Sequence, residues 1–136
     1  MRRTPRWIDK RALLLLHEES LATFGGARGI RDTGLLDSAL VRPLHKFVYD
    51  EVDDLAVLAA AYAFGIARNH AFVDGNKRAS FLALGLLLAI NGKRLRAPQV
   101  DSIQTMLALA AGQLPEPALA DWIRQHTHAN TSGRHS

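Results

Sequence analysis

Apolar residues recur at helical spacings over most of this chain, and polar or glycine-rich breaks divide them into six runs. The first holds Leu13, Leu14, Leu16, Leu21 and Phe24, with Asp9 as N-cap and Gly25-Gly26 as the stop. Its polar members, His17, Glu18 and Glu19, read as a solvated face. After a loop over Gly25–Ile30, Asp32 caps a short second helix through Leu35, Leu36, Ala39 and Leu40, predicted to end before Pro43. Pro43 to Glu51, with Phe47, Val48 and Tyr49, reads either as a short β-prone stretch or as an inter-helix loop with an aromatic plug. Asp53 and Asp54 open a third helix, whose Leu55, Leu58, Ala59, Tyr62 and Ile66 share one face and whose many alanines permit close packing.

A polar island then interrupts the pattern from Asn69 to Ser80. The fourth helix, Lys77 to Ile90, is apolar almost all round, which predicts burial at the centre of the domain. Asn91-Gly92 ends it. Val100, Ile103, Met106, Leu107 and Leu109 predict a fifth helix stopped by Gly112, and Leu119, Trp122 and Ile123 a sixth after Pro115 and Pro117. His126 to Ser136 is polar and has no apolar anchor, so disorder is expected there, with the three histidines as part of a flexible tail. The pattern therefore predicts an all-α fold, a compact bundle of about six helices, with one domain over residues 1–125 and the polar island between two central helices. No internal repeat is present.

Composition narrows the setting. The chain has 136 residues, enough for one domain with a real core, and no cysteine, which excludes disulfide and thiol chemistry and fits a cytoplasmic location. The net charge of +4 is spread along the chain, with neither a basic recognition helix nor interleaved aromatics, so nucleic acid is an unlikely partner. The longest apolar run, Phe81 to Ile90, is too short to span a bilayer, and the basic start MRRTPRW leads into no signal-peptide pattern.

The candidate chemistry sits in the island, NHAFVDGNKRAS. His70 titrates near neutrality when unperturbed and is a base candidate. Asp74 is either a turn or capping residue or a carboxylate for a hard cation such as magnesium. Gly75 and Asn76 suit a tight turn where backbone can approach a phosphate. Lys77 and Arg78 oppose the helix macrodipole at an N-terminus, which an anion between them and the helix end would offset. Phe72 is expected to point into the core. The spacing is not that of a P-loop. Taken singly, each residue has an ordinary structural role; it is their order within one loop that points to phosphate handling. Arg68 either places charge at a helix C-terminus or reaches the same loop.

The stretch HAFVDGNKR, His70 to Arg78, resembles the signature loop HxFx(D/E)(G/A)N(G/K)R of the Fic/Doc superfamily, and Lys77 resembles its Doc ("death on curing") branch. GGARGIRDTGLLDSAL, Gly25 to Leu40, and INGKRL, Ile90 to Leu95, are similar to the segments flanking that loop in Doc-like proteins, so the likeness covers roughly residues 9–125. It implies a toxin that transfers the γ-phosphate of ATP, with Mg2+, to a Ser/Thr hydroxyl of elongation factor Tu and so arrests translation. His70 would be the base. Asp74 would hold magnesium or steer the acceptor. The Gly75 backbone, Asn76, Lys77 and Arg78 would hold phosphates, with Arg68 assisting. Pro43–Glu51 would correspond to the family's target-aligning flap. Two rivals are a Fic-type transfer of AMP or another nucleotide moiety, and a non-catalytic protein that acts by binding a partner or nucleic acid. No Ser or Thr has Glu four residues on, so the inhibitory pattern of self-inhibited Fic proteins is absent and a separate antitoxin chain is implied. Leu82 stands where the phage-encoded Doc carries an asparagine, a departure that removes one polar group from the signature helix.

Overall fold

Caps set most helix starts. In the computed structural model, which describes residues 4–130, the Asp9 carboxylate accepts from the Arg11 backbone N–H at 2.9 Å and opens α1, Lys10–Phe24. Asp32 accepts from Leu35 N and opens α2, Thr33–Tyr49, and Asp54 accepts from Ala56 N and opens α3, Leu55–Asn69. The chain continues with α4, Asn76–Ile90; β1, Lys93–Leu95; α5, Gln99–Ala110; α6, Glu116–His126; and β2, Thr127–Ala129. The fold is all-α, with six helices and one small antiparallel sheet among the described residues, the sheet pairing Lys93 with Ala129 and Leu95 with Thr127. No helix among the described residues is long and apolar enough to cross a membrane.

The sequence pattern predicted burial at the centre for α4, but α4 is the less buried of the two helices that flank the polar island. α3, not α4, is the axis of the bundle: ten of its fifteen residues are buried, and α2, α4 and α6 all pack on it. Small residues make this possible. A Cβ at Gly65 would lie 3.3 Å from both Cα and Cβ of Ala39, so the α2 and α3 backbones meet almost without intervening side chains. α4 buries only Ala79, Ser80, Ala83, Leu84, Leu87 and Leu88 and leaves Phe81, Leu82 and Leu86 half-buried.

Pro43 does not end α2. The helix continues six residues beyond it, so the stretch Pro43–Tyr49 is helical and no β-like flap forms there. A mid-helix proline loses a backbone bond and costs about 3 kcal/mol. Burial outweighs it: Leu36, Ala39, Pro43 and Phe47 form one buried stripe, Trp7 meets Phe47 edge-on at 5.6 Å, and Arg42 is bound to Glu116 of α6 at 2.6 Å. The expected tail boundary also shifts. His126 is the last residue of α6, with Nδ1 2.8 Å from the Trp122 carbonyl oxygen, and residues 127–129 pair with β1 instead of being disordered. A three-residue strand with no apolar alternation gives no sequence signal; its partner supplies the order. Residues 131–136 of the expected tail lie outside the described residues.

Candidate active site

The polar island becomes the turn between α3 and α4, and its geometry starts with a strained residue. His70 caps α3 in the left-handed region, φ 50° and ψ 49°, unusual for a residue other than glycine. Two contacts from the preceding loop hold it. Arg31 Nε donates to the His70 carbonyl at 2.7 Å and Nη2 to that of Asn69 at 3.1 Å, putting a cation on the negative end of α3. Asn69 Nδ2 donates to Leu35 O at 2.9 Å. The turn thus leaves the His70 ring exposed, and its imidazole makes no hydrogen bond, ion pair or ring contact among the described residues.

The next residues dive inward. Ala71 and Phe72 are buried. The Ala71 carbonyl accepts from Arg31 N and Asp32 N, Val73 N donates to Gly29 O, and Ile30 lies opposite Phe72 in a one-rung antiparallel bridge. Asn76 closes the turn: its Oδ1 accepts from Phe72 N and its Nδ2 donates to Phe72 O, both at 3.0 Å. Its amide is therefore committed to the loop's own backbone. Gly75 supplies φ 75° as N-cap of α4 and gives no side-chain cap, so the first N–H groups of α4 meet no capping side chain.

Asp74 does not cap α4. Its Oδ2 accepts from Ala27 N at 3.1 Å and its Oδ1 from Gly75 N at 2.8 Å, fastening the glycine-rich loop to the turn. These N–H groups, Ala27 before Gly75, hold its carboxyl below the ordinary carboxylate range, and the Arg78 charge adds to the effect. Arg78 also serves the neighbouring loop. Nη2 donates to Gly25 O at 2.7 Å and Nη1 to Ser20 O at 3.3 Å, so its charge sits at the C-terminus of α1, where the macrodipole favours it. The anomaly of two cations at the start of α4 is thus half resolved without any anion. Only Lys77, exposed and in no ion pair among the described residues, still opposes the dipole.

Of the residues expected in the site, His70, Asp74, Gly75, Asn76, Lys77 and Arg78 lie in this one turn. Arg68 is engaged elsewhere: its guanidinium stacks 5.2 Å from the Phe64 ring centroid and makes no hydrogen bond to the loop. Leu82 packs against the hydrophobic core. Among the described residues no three His, Cys, Asp or Glu side chains form a metal cluster. Asp74 keeps free lone pairs on both oxygens after its backbone bonds, so it fits magnesium only as the single carboxylate of an ion that also binds phosphate oxygens.

Three participants, Arg31, Ser20 and Gly25, were missed by sequence reasoning and a fourth, His17, was misassigned. Arg31 was hidden in a loop with no helical period, although an arginine among glycines before an N-capping Asp32 was a usable signal. Ser20 and Gly25 act through backbone carbonyls, which no side-chain pattern reveals. His17 was misassigned. It is not on a solvated face but 3% exposed, tilted against Phe72 with ring centroids 4.0 Å apart, beneath Gly75. Burial, then the Arg78 charge, push its pKa down, so the ring is held neutral.

The sequence model of the Fic/DOC family matches residues 7–88, more than half of the chain, including this turn and the helices on either side. The chain belongs to the Fic/DOC family. Two curated relatives extend the likeness. The protein named "Protein kinase doc" from Escherichia phage P1 is 29% identical over 121 residues, covering 88% of this chain and 94% of the phage protein. "Toxin Doc" from Mycolicibacterium smegmatis (strain ATCC 700084 / mc(2)155) is 49% identical over 87 residues, covering 62% of this chain and 66% of that protein. In family terms, the loop from Gly25 to Arg31 is locked to the signature turn at Ala27, Gly29, Ile30 and Arg31, so both segments behave as one structural unit.

Proposed function

We propose that this chain is the toxin of a toxin–antitoxin pair and acts as a protein phosphotransferase, moving the γ-phosphate of ATP to a Ser/Thr hydroxyl of a cytoplasmic translation factor, elongation factor Tu by family resemblance. The observation that carries the reading is one short turn that holds an exposed His70 ring and leads into the uncapped N-terminus of α4 with its exposed Lys77, both side chains without partners among the described residues. The names of the two relatives, one a kinase and one a toxin, support it.

The chemistry would run as follows. The first α4 N–H groups and Lys77 hold phosphate oxygens. Asp74 would hold a magnesium ion bound to those oxygens, which would supply charge neutralisation at the phosphates. A ring nitrogen of His70 takes the proton from the acceptor hydroxyl as its oxygen bonds to the γ-phosphorus. The bond from that phosphorus to the bridging oxygen breaks, its electron pair leaves with ADP, and the proton stays on His70. Asn76 and Arg78 act from one step back, by fixing the loop, and Arg68 has no direct part. Since Pro43–Tyr49 is helical, the extended segment at Ile30 is the better candidate to align the acceptor. Its backbone N–H and C=O point away from the rung it makes with Phe72, as an edge that a peptide strand can join. Inhibition is assigned to a cognate antitoxin, a separate chain covering this surface.

Intact-mass analysis of elongation factor Tu after incubation with this protein, magnesium and ATP tests the reading, beside the His70→Ala variant. One added phosphoryl group that disappears in the variant is expected. An added adenylyl group would replace phosphotransfer by nucleotidyl transfer. Growth arrest that survives His70→Ala would overturn an enzymatic role.

A further inference from the structure

His17 is the one fully enclosed titratable side chain near the turn, and nothing in the transfer step uses it. Both ring nitrogens are buried and neither has a hydrogen-bond partner among the described residues. A buried polar group without a partner is costly, and a neutral imidazole always carries one N–H donor and one acceptor nitrogen. The ring cannot simply turn away. Phe72 lies against one face, and a Cβ at Gly75 would come within 2.9 Å of Cε1. The nearest polar company is the backbone of Asp74, which favours the charged form of the ring yet falls short of hydrogen-bond geometry, together with the side chains of Asp74 and Arg78 and, on its own helix, Glu18. The ring therefore sits directly under the Asp74–Gly75 peptide, whose orientation determines where the first N–H groups of α4 point.

We propose that His17 is a positioning residue for the phosphate-binding turn: its unpartnered ring N–H donates to the Asp74 backbone carbonyl when the turn closes on a phosphate, and so fixes the turn with the first N–H groups of α4, from Asn76 on, aimed at the anion. The inference rests on the phosphate reading of the turn and adds a residue from a different helix to it. A small rotation of one peptide, permitted by the glycine that follows, converts an orphaned donor into a bonded one. Phosphate binding and this hydrogen bond are then linked, each favouring the other.

The test uses the full-length protein and its His17→Leu, His17→Gln and His17→Asn variants. Melting temperature is measured beside calorimetric binding of Mg·ATP and of inorganic phosphate. His17→Leu removes an unsatisfied polar group and keeps the space filled, so its melting temperature is expected to equal or exceed that of the wild type. Its Mg·ATP affinity is expected to fall by roughly threefold to tenfold, the worth of one hydrogen bond. One of the two amides, each able to donate, is expected to restore most of the loss. Imidazole nitrogen NMR of the wild type should show the His17 N–H resonance shifting on phosphate addition. Unchanged affinity in His17→Leu, or affinity that falls only in step with melting temperature in all three variants, overturns the proposal while leaving the phosphate reading intact. A wild type that binds neither Mg·ATP nor phosphate overturns both.

Discussion

Gly75→Ala measures how tightly the turn is built. Two separate costs follow from the geometry. The backbone at position 75 has φ 75°, a left-handed conformation that costs a residue with a Cβ about 1–2 kcal/mol. The added methyl would also stand 2.9 Å from His17 Cε1 and 3.2 Å from Leu21 Cδ2, inside ordinary van der Waals separation. His17 is backed by Phe72, so relief requires the ring or α1 to shift, an overpacking cost of about 1 kcal/mol or more. The sum is ~2–3 kcal/mol, which for a domain of this size lowers the melting temperature by about 6–12 °C. Urea denaturation of wild type, Gly75→Ala, His17→Ala and the double variant separates the parts. With the ring gone, its share of the steric cost vanishes, and the backbone part and the 3.2 Å approach to Leu21 remain. The double variant should therefore be more stable than the sum of the single effects by about 1 kcal/mol. A Gly75→Ala cost below about 0.5 kcal/mol, or strict additivity with His17→Ala, would refute the claim that this ring and this glycine share one packed space.

Other perturbations probe the supports. Arg31→Ala removes the guanidinium from the Asn69 and His70 carbonyls and should cost about 1–2 kcal/mol by urea denaturation, with phosphotransfer falling further because the His70 turn loosens; Arg31→Lys should recover little, since an ammonium lacks the fork that spans two carbonyls. Pro43→Ala should stabilise by about 1 kcal/mol, because relief of ~3 kcal/mol of helix cost exceeds the loss of two buried methylenes at ~0.8 kcal/mol each. Stability against pH should carry a His17 signature. Its pKa is depressed in the fold, so the unfolded chain takes up the proton first, and stability is lost as pH falls through about 6.5. The loss from pH 7.5 to 5.5 should be smaller in His17→Leu; an identical pH profile would show that His17 is not held neutral.

The contrast between what the pattern revealed and what it hid has a physical basis. The helices with Asp caps and strong 3.6-residue periods, α1 and α3, were readable to within a residue, because capping and amphipathicity are local. α2 was cut short because the cost of Pro43 is local while its compensation is not: Phe47, Trp7 and Glu116 come from other parts of the chain. The burial of α4 was overrated because leucines count the same whether they face α3 or the rim. In the site, side chains carrying the motif were legible, but their division of labour was not. Asn76 and Arg78 look like ligand-binding groups and turn out to bond carbonyl and amide groups of the protein itself. His17 looks like surface and lies under the turn.

Local structural rules are broken in one place more than anywhere else in the described chain. His70 occupies a left-handed conformation without being glycine, α4 starts without a side-chain cap, Lys77 sits at the wrong end of a dipole, and His17 is buried without partners. All four lie in or against the same turn. Elsewhere the exceptions are scattered: Glu51 is left-handed, Pro43 lies inside α2, α5 and α6 lack side-chain caps, and Arg42 Nη1 and Glu116 Oε2 are buried without hydrogen-bond partners, while Asp9, Asp32 and Asp54 cap their helices and Arg124 is paired with Asp54 and Asp121. Four violations of different kinds within one turn are the mark of a site held in a costly geometry by the rest of the fold. A phosphate at the α4 N-terminus would relieve three of the four together: it accepts from the uncapped N–H groups, pairs with Lys77, and draws the Asp74–Gly75 peptide toward it, which gives the His17 ring its acceptor. The fourth, the twist at His70, is the one that bound phosphate leaves in place. In the proposed phosphotransfer its exposed ring would have to stay turned outward to meet the incoming hydroxyl, and it is Arg31, donating to the Asn69 and His70 carbonyls, that holds this turn.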